Sequence, residues 1–489
     1  MLFNSYTFIF GFLPIALVVF FTLTKFRFLK AATAWLLIAS LAFYSYWNIA
    51  YLPLMLISIG VNYGVGRAIE SPKQSTEQRK IWLIVGIIFN LGLLGYYKYA
   101  NFFLSSIDYV LGTDWNLKGI ILPLGISFYT FTQTAYLVDA YRGETKGYNL
   151  ITYSLFVTFF PHLIAGPILH HNDMIPQFQK LRNFAFSHKN MVRGLALFIL
   201  GLSKKVLIAD NLSIWVAPVF NNAADVTFIE AWAGALCYTL QLYFDFSGYS
   251  DMAVGLGWMV NINLPWNFDS PYKATSISDF WRRWHITLSN FLRDYLYIPL
   301  GGNRKGETRR YINLMITMLL GGLWHGAGWT FVLWGGLHGV YLCINRWWHK
   351  LGKPLPKFLA RTITFIAVLI SWVLFRATHI SDALELLRTM VGLKGIVLPV
   401  GEVSGKFAWL RHLGIQLKPW EQLTYLPLND KLGLIVLLVI LICTFLLPNT
   451  RQIMDRFKPT WWWAAIMGLM TAGALISLNR VSEFLYFQF

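Results

Sequence analysis

Long apolar runs separated by short polar or basic loops organise this chain from end to end. The runs at 8–23, 31–47, 52–65 and 81–97 each read as an apolar helix of a length suited to a bilayer. Basic loops beside membrane helices face the cytoplasm. The polar loop 67–80 is therefore expected inside, and the weakly charged stretch 100–118 outside. No Lys or Arg precedes the first run, while Lys25, Arg27 and Lys30 follow it. That pattern predicts a retained helix with an external N-terminus and no cleaved leader.

Further along, the runs become polar. The helix expected at 120–138 carries Pro123 and Gly125, and Ser127, Thr130, Thr132, Gln133 and Thr134 make it too polar to face lipid all round. Residues 151–169 hold Pro161-His162 and Gly166-Pro167 ahead of a basic stretch, so this segment is expected to be broken or re-entrant. In 193–218, Lys204, Lys205 and Asp210 are either snorkelling ends of two half-helices or part of a polar pocket. The long run 229–260 contains Asp245 and Asp251, each expected to pair with a nearby lysine or arginine.

Residues 276–298 have helical period but too many charges to span. Asp279, Arg282, Arg283, Asn290, Arg293 and Asp294 form one stripe, and Phe280, Trp284, Leu288 and Phe291 another. An amphipathic helix at the cytoplasmic interface is expected. After it, basic clusters at 301–310 and 346–357 bracket an apolar segment that must enter the membrane and return. Its turn lies at Gly326-Ala-Gly328, beside His325. From Tyr311 to His325 a helix rises roughly 20 Å, and a hydrocarbon core is about 30 Å thick. His325 is thus expected past mid-membrane, where an ionisable residue is a functional candidate unless it merely bonds a neighbouring helix. Beyond the hairpin, the pattern gives a span ending in Arg376, a short amphipathic helix at 380–392, a mixed loop at 393–431, and two last spans at 432–447 and 461–478.

Composition agrees with this pattern. The 489 residues are 56% hydrophobic and only 13% charged, which excludes an ordinary soluble domain. The formal charge of +18 fits basic cytoplasmic loops and leaves a surface able to attract anionic ligands or lipid. Cys237, Cys343 and Cys443 each lie in an apolar run without metal-ligand spacing, so no metal is expected. The expected architecture is an all-α polytopic membrane protein, a single domain over 1–489 with about 11 to 13 spanning or re-entrant helices.

A neutral histidine in a cavity can take a proton from a hydroxyl, and its unperturbed pKa of about 6.5 suits that task. Arg282, Arg283, Arg304, Lys305, Arg309 and Arg310 supply a cytoplasmic basic surface suited to a phosphorylated cofactor, with no Walker or Rossmann loop to frame one. On chemistry alone, an acyltransferase, a glycosyl-carrier enzyme and a proton-coupled transporter all fit.

Several stretches carry a more specific signal: Pro123-Leu-Gly-Ile-Ser-Phe-Tyr-Thr-Phe131, Phe160-Pro-His-Leu-Ile-Ala-Gly-Pro167, Tyr243-Phe-Asp-Phe-Ser-Gly-Tyr-Ser-Asp251, Phe280-Trp-Arg-Arg-Trp-His285, Tyr295-Leu-Tyr-Ile-Pro-Leu-Gly-Gly-Asn303, Gly321-Gly-Leu-Trp-His325-Gly and Phe484-Leu-Tyr-Phe-Gln-Phe489. With these the chain resembles the membrane-bound O-acyltransferase (MBOAT) family, and within it the alginate O-acetyltransferase (AlgI) group, over nearly its whole length. The core motifs fall in 120–345. The resemblance implies helices ringing a thin wall, with an external funnel and an internal tunnel meeting near His325. It makes His325 the catalytic histidine and His285 the second, upstream one, with Trp324, Asn303, Arg282, Arg283 and Asp279 as neighbours. His338 and His162 are left as structural.

The same resemblance implies an acetyl group taken from a cytoplasmic thioester, acetyl-CoA, with no resident cofactor. The group is passed across the bacterial inner membrane to an external hydroxyl. The expected partners are membrane lipids and an external SGNH-hydrolase-like protein acting on a polysaccharide; no nucleic acid is expected. Alternatives are acetylation of peptidoglycan, D-alanyl transfer to teichoic acid (DltB-like), or, from another class, a transporter or flippase of a lipid-linked saccharide.

Overall fold

The computed structural model describes residues 1–113, 115, 117, 119–145, 147–400, 409–412, 414–427, 431–478 and 485. The chain is an all-α membrane protein, with one short strand pair among the described residues. Among the described residues, four helices are long and apolar enough to cross a bilayer: Thr7–Lys25, Ile49–Glu70, Thr76–Leu111 and Lys357–Arg376. A bent pair, Lys431–Leu446 with Thr450–Arg456, makes a fifth by length and composition. The described residues group into two compact units.

The first unit comprises Met1–Leu202, Tyr249–Asn267 and Met454–Leu478. Its first four helices fall where hydropathy puts them, but their ends move. The loop expected at 67–80 shrinks, because one helix runs on to Glu70 and the next starts at Thr76. Ser75 sets that start: its hydroxyl accepts from the Gln78 N–H while the Gln78 side chain accepts from the Ser75 N–H. The stretch expected outside, 100–118, is helical over Ala100–Leu111, and the helix stops at Gly112 with φ +67°.

Buried polar residues in this unit find one another. Asn62 and Asn90 exchange amide hydrogen bonds of 3.1 and 2.6 Å. Gln133 donates to Ser58 and accepts from Tyr153, which explains how so polar a helix as Ile126–Arg142 stays buried. The segment 151–169 is broken as expected, into Leu150–Thr158 and Phe160–Leu163, with Phe159 extended at ψ 111° between them. His162 binds the Phe156 carbonyl through Nε2 at 2.9 Å, a structural role.

The second unit comprises Ser203–Gly248, Phe268–Ile453 and Asn479–Phe489. Of the C-terminal motif, only Leu485 lies among the described residues. Lys205 is buried between two carboxylates, 2.5 Å from Asp210 and 2.7 Å from Asp245. The snorkelling reading of this lysine is thus corrected to the polar pocket. A π-helical turn, Lys204–Ala209, directs it inward. Asp245 also accepts from the Leu485 N–H at 3.3 Å, pinning that residue inside the unit. Within the loop expected at 393–431, Ile396–Val400 pairs in parallel with Ile415–Pro419, Ile396 opposite Ile415.

The hairpin forms as the basic clusters require. Glu307–His325 and Trp329–Lys350 run antiparallel and touch through glycine. A Cβ on Gly335 would lie 2.2 Å from the Met318 carbonyl oxygen and 3.1 Å from Gly322 Cα. Close backbone approach of this kind is what small residues allow between membrane helices. Gly335→Val should therefore cost about 1–3 kcal/mol and displace the apex. Thermal unfolding in detergent is the measurement, with Gly468→Ala as control, since a Cβ there meets nothing within 4 Å.

Candidate active site

The hairpin ends on His325, the last residue of its first helix. His325 is 6% exposed and walled by rings: Trp324 at 4.9 Å between centroids, Trp334 at 5.1 Å and Phe375 at 5.3 Å. His285 stands 6.4 Å away, ring centre to ring centre, with Trp324 6.2 Å from it. Two imidazoles separated by 40 residues of sequence thus share one aromatic chamber.

His285 arrives there by a break in the chain. The single amphipathic helix expected over 276–298 is instead Ile277–Trp281, then Ile286–Leu292, then a π-turn Arg293–Tyr297. Between the first two pieces His285 takes φ +43°, ψ 53°, a left-handed conformation that costs a non-glycine residue of order 1–3 kcal/mol. Such strain persists only when the surroundings over-determine it. Phe246 presses edge-on at 4.8 Å, and His285 is fully buried. The Arg283 carbonyl accepts from the Asp269 N–H at 2.9 Å. The apolar stripe nonetheless falls as expected, with Phe280, Trp284, Leu288 and Phe291 buried.

His338 packs against Trp334 at 4.8 Å between ring centroids and is fully buried. The Ser371 hydroxyl donates to the Val368 carbonyl at 2.6 Å, so the 2.9 Å contact with His338 Nε2 is one in which the ring donates. His338 Nδ1 then accepts from the Trp281 indole N–H at 3.3 Å. Both nitrogens are occupied, which fixes Trp281 and the short helix leading to His285.

The remaining expected site residues separate. Trp324 lies in the chamber. Asp279 and Arg283 pair at 2.8 Å, Asp279 also accepting from the Thr275 N–H, so together they staple the turn before His285. Asn303 is exposed in the turn below the hairpin, and among the described residues no contact joins it to either histidine. Arg282 is exposed and lines a cavity of about 600 Å³ with Ser276, Arg310, Asn345, Arg346 and His349. A neighbouring cavity of about 440 Å³ shares Ser276, Asn345 and His349 and adds Lys353 and Lys357.

The hairpin register makes this cavity basic. Gly322 against Gly335, Met315 against Gly339 and the 3.0 Å Glu307–Lys350 pair bring Arg310 opposite Arg346. Each of these arginines has its Nε buried without a hydrogen-bond partner, and among the described residues neither makes an ion pair. The Glu307 carboxylate stands in the field of both arginines and of Lys350, so positive charge remains in excess there for a further anion. The Arg310–Arg346 juxtaposition and the walls Trp334, Phe375 and Phe246 were missed in the sequence. The Trp334–His338 spacing of four was the one local signal that Trp334 shares a helix face with a histidine.

The model of the membrane-bound O-acyltransferase family, MBOAT, matches residues 32–381. A peptidoglycan O-acetyltransferase of Helicobacter pylori is 42% identical, covering 100% of this chain and 98% of that protein. A probable alginate O-acetylase, AlgI, of Pseudomonas aeruginosa is 44% identical over 80% of this chain and 75% of its own length. A teichoic acid D-alanyltransferase of Streptococcus thermophilus is 28% identical over 52% of this chain and 68% of its own length.

Proposed function

The chain belongs to the membrane-bound O-acyltransferase family and is an acyltransferase, and on that premise we propose that it moves an acetyl group from a cytoplasmic acetyl-CoA to an external hydroxyl, with His325 as general base. It does so as a multi-pass protein of the bacterial inner membrane. The external acceptor is an SGNH-hydrolase-like partner, which passes the group to an alginate-type polysaccharide. Peptidoglycan is the second reading, favoured by the full-length match to the Helicobacter pylori enzyme.

In the proposed step, the His325 imidazole takes the proton of the acceptor hydroxyl. The freed oxygen attacks the thioester carbonyl. The tetrahedral intermediate collapses with cleavage of the C–S bond, and the leaving thiolate takes the proton back from the imidazolium. His285, across the same chamber, orients the acceptor. The aromatic walls exclude water that would hydrolyse the thioester.

The observation that carries the reading is a buried imidazole pair at the apex of a hairpin whose base carries opposed arginines. Those arginines suit a donor rich in phosphate. Arg310→Gln combined with Arg346→Gln should raise KM for acetyl-CoA roughly tenfold to hundredfold, the range for lost charge-assisted hydrogen bonds, with kcat little changed. Transfer from S-acetylpantetheine, which lacks the nucleotide phosphates, should be unaffected. Equal loss with both donors would remove the cavity from donor binding.

A further inference from the structure

The first unit holds a second feature, distant in sequence from the hairpin. Val192, Leu195, Ala196 and Ile199 form one face of the helix His188–Ser203. With Phe457, Trp463, Ala464 and Met467 they line an apolar groove of about 380 Å³. Val192 is 42% and Leu195 49% exposed, so this wall is open.

Both ends of the groove can be assigned. The Tyr6 hydroxyl donates to the Leu475 carbonyl at 2.8 Å, so the helix Trp461–Ser477 ends where the first helix begins. Phe8 stacks on Phe198 at 6.3 Å, and Phe21 meets Phe186 at 4.9 Å. Both groove helices therefore run opposite to the first helix and parallel to each other. Their starts, each preceded or opened by basic residues, lie at one end. Lys189 sits one turn before Val192 on the same face, and Lys458 lies between Phe457 and Pro459, both of which line the groove. Both lysines are exposed, and among the described residues neither makes an ion pair. Arg456 adds a third charge, against the single acid Asp455. Trp461 and Trp462 are 65% and 63% exposed at the same end, the depth at which tryptophan marks a headgroup layer.

We propose that this groove is a site for one anionic phospholipid of the leaflet facing the basic loops. One acyl chain lies along Val192, Ala196, Ala464 and Met467, and the phosphate sits between Lys189 and Lys458. A groove open only to hydrocarbon would take any lipid; the paired lysines at its mouth select for negative charge.

Titration of the purified full chain with phosphatidylglycerol, followed by native mass spectrometry, tests this against phosphatidylcholine of identical chains. One phosphatidylglycerol per chain should be retained in preference to phosphatidylcholine. Lys189→Gln with Lys458→Gln should weaken phosphatidylglycerol retention roughly tenfold and leave phosphatidylcholine unchanged. Ala464→Trp, which fills the groove, should abolish the preferred site; Val192→Trp fills it from the other wall should the first variant aggregate. Equal retention of the two lipids by the unmodified protein, or undiminished phosphatidylglycerol retention in a folded groove-filling variant, would overturn the proposal.

Discussion

Replacing His325 with alanine is expected to lower acyl transfer by about 10²–10⁴-fold, the usual contribution of a general base. The protein should stay folded, because the ring sits at the end of its helix and its walls have other neighbours: Trp324 meets His285, and Trp334 and Phe375 both meet Trp372. His325→Gln keeps the volume and some hydrogen-bonding capacity but removes the proton acceptor. It should lose as much as alanine. Radiolabelled acetyl-CoA, purified protein and a candidate acceptor give the measurement. Added imidazole is expected to restore part of the rate in His325→Ala and none in His325→Gln, where the space is filled. Wild-type turnover in His325→Gln would reduce this histidine to packing and move the general base elsewhere. His285→Ala should fall between wild type and His325→Ala, since a ring that orients the acceptor is less costly to lose than one that takes its proton.

The second large effect concerns stability. Lys205→Met should cost about 3–5 kcal/mol, the usual price of breaking a buried ion pair from one side. The reason is the arithmetic of charge: Asp210 and Asp245 both face Lys205, at 2.5 and 2.7 Å, with 2% or less of the lysine side chain exposed. Removing the cation leaves two carboxylates buried together. The triple variant Lys205→Met, Asp210→Asn, Asp245→Asn should recover most of the loss, as neutral amides tolerate that pocket. Thermal unfolding in detergent distinguishes these outcomes. Equal stability of the single and triple variants would mean that the pocket is hydrated and the ions already screened.

Much of the molecule was legible beforehand. Apolar run length located the helices at 8–23, 31–47, 432–447 and 461–478 to within a few residues, because a helix facing lipid must be apolar over its full length. The hairpin followed from two basic clusters and a Gly-Ala-Gly turn. His325 stood out because an ionisable group inside such a hairpin is costly.

What failed did so for a shared physical reason. The period of 276–298 runs unbroken through His285, so nothing local announces the left-handed residue; it is imposed by Phe246 and by the Asp269–Arg283 backbone contact. Lys205 could equally have snorkelled; Asp210 was in view, but the second carboxylate, Asp245, forty residues away, was not. The opposed arginines required a register set by glycine contacts between two helices.

The sequence by itself determined an all-helical membrane protein, its hairpin and the histidine at its apex, since hydropathy and charge act on each segment separately. Tertiary structure alone decided which distant side chains meet: the two imidazoles, the lysine and its carboxylates, the arginines facing across the hairpin. Those pairings depend on packing between segments, and packing is not a property of any one of them.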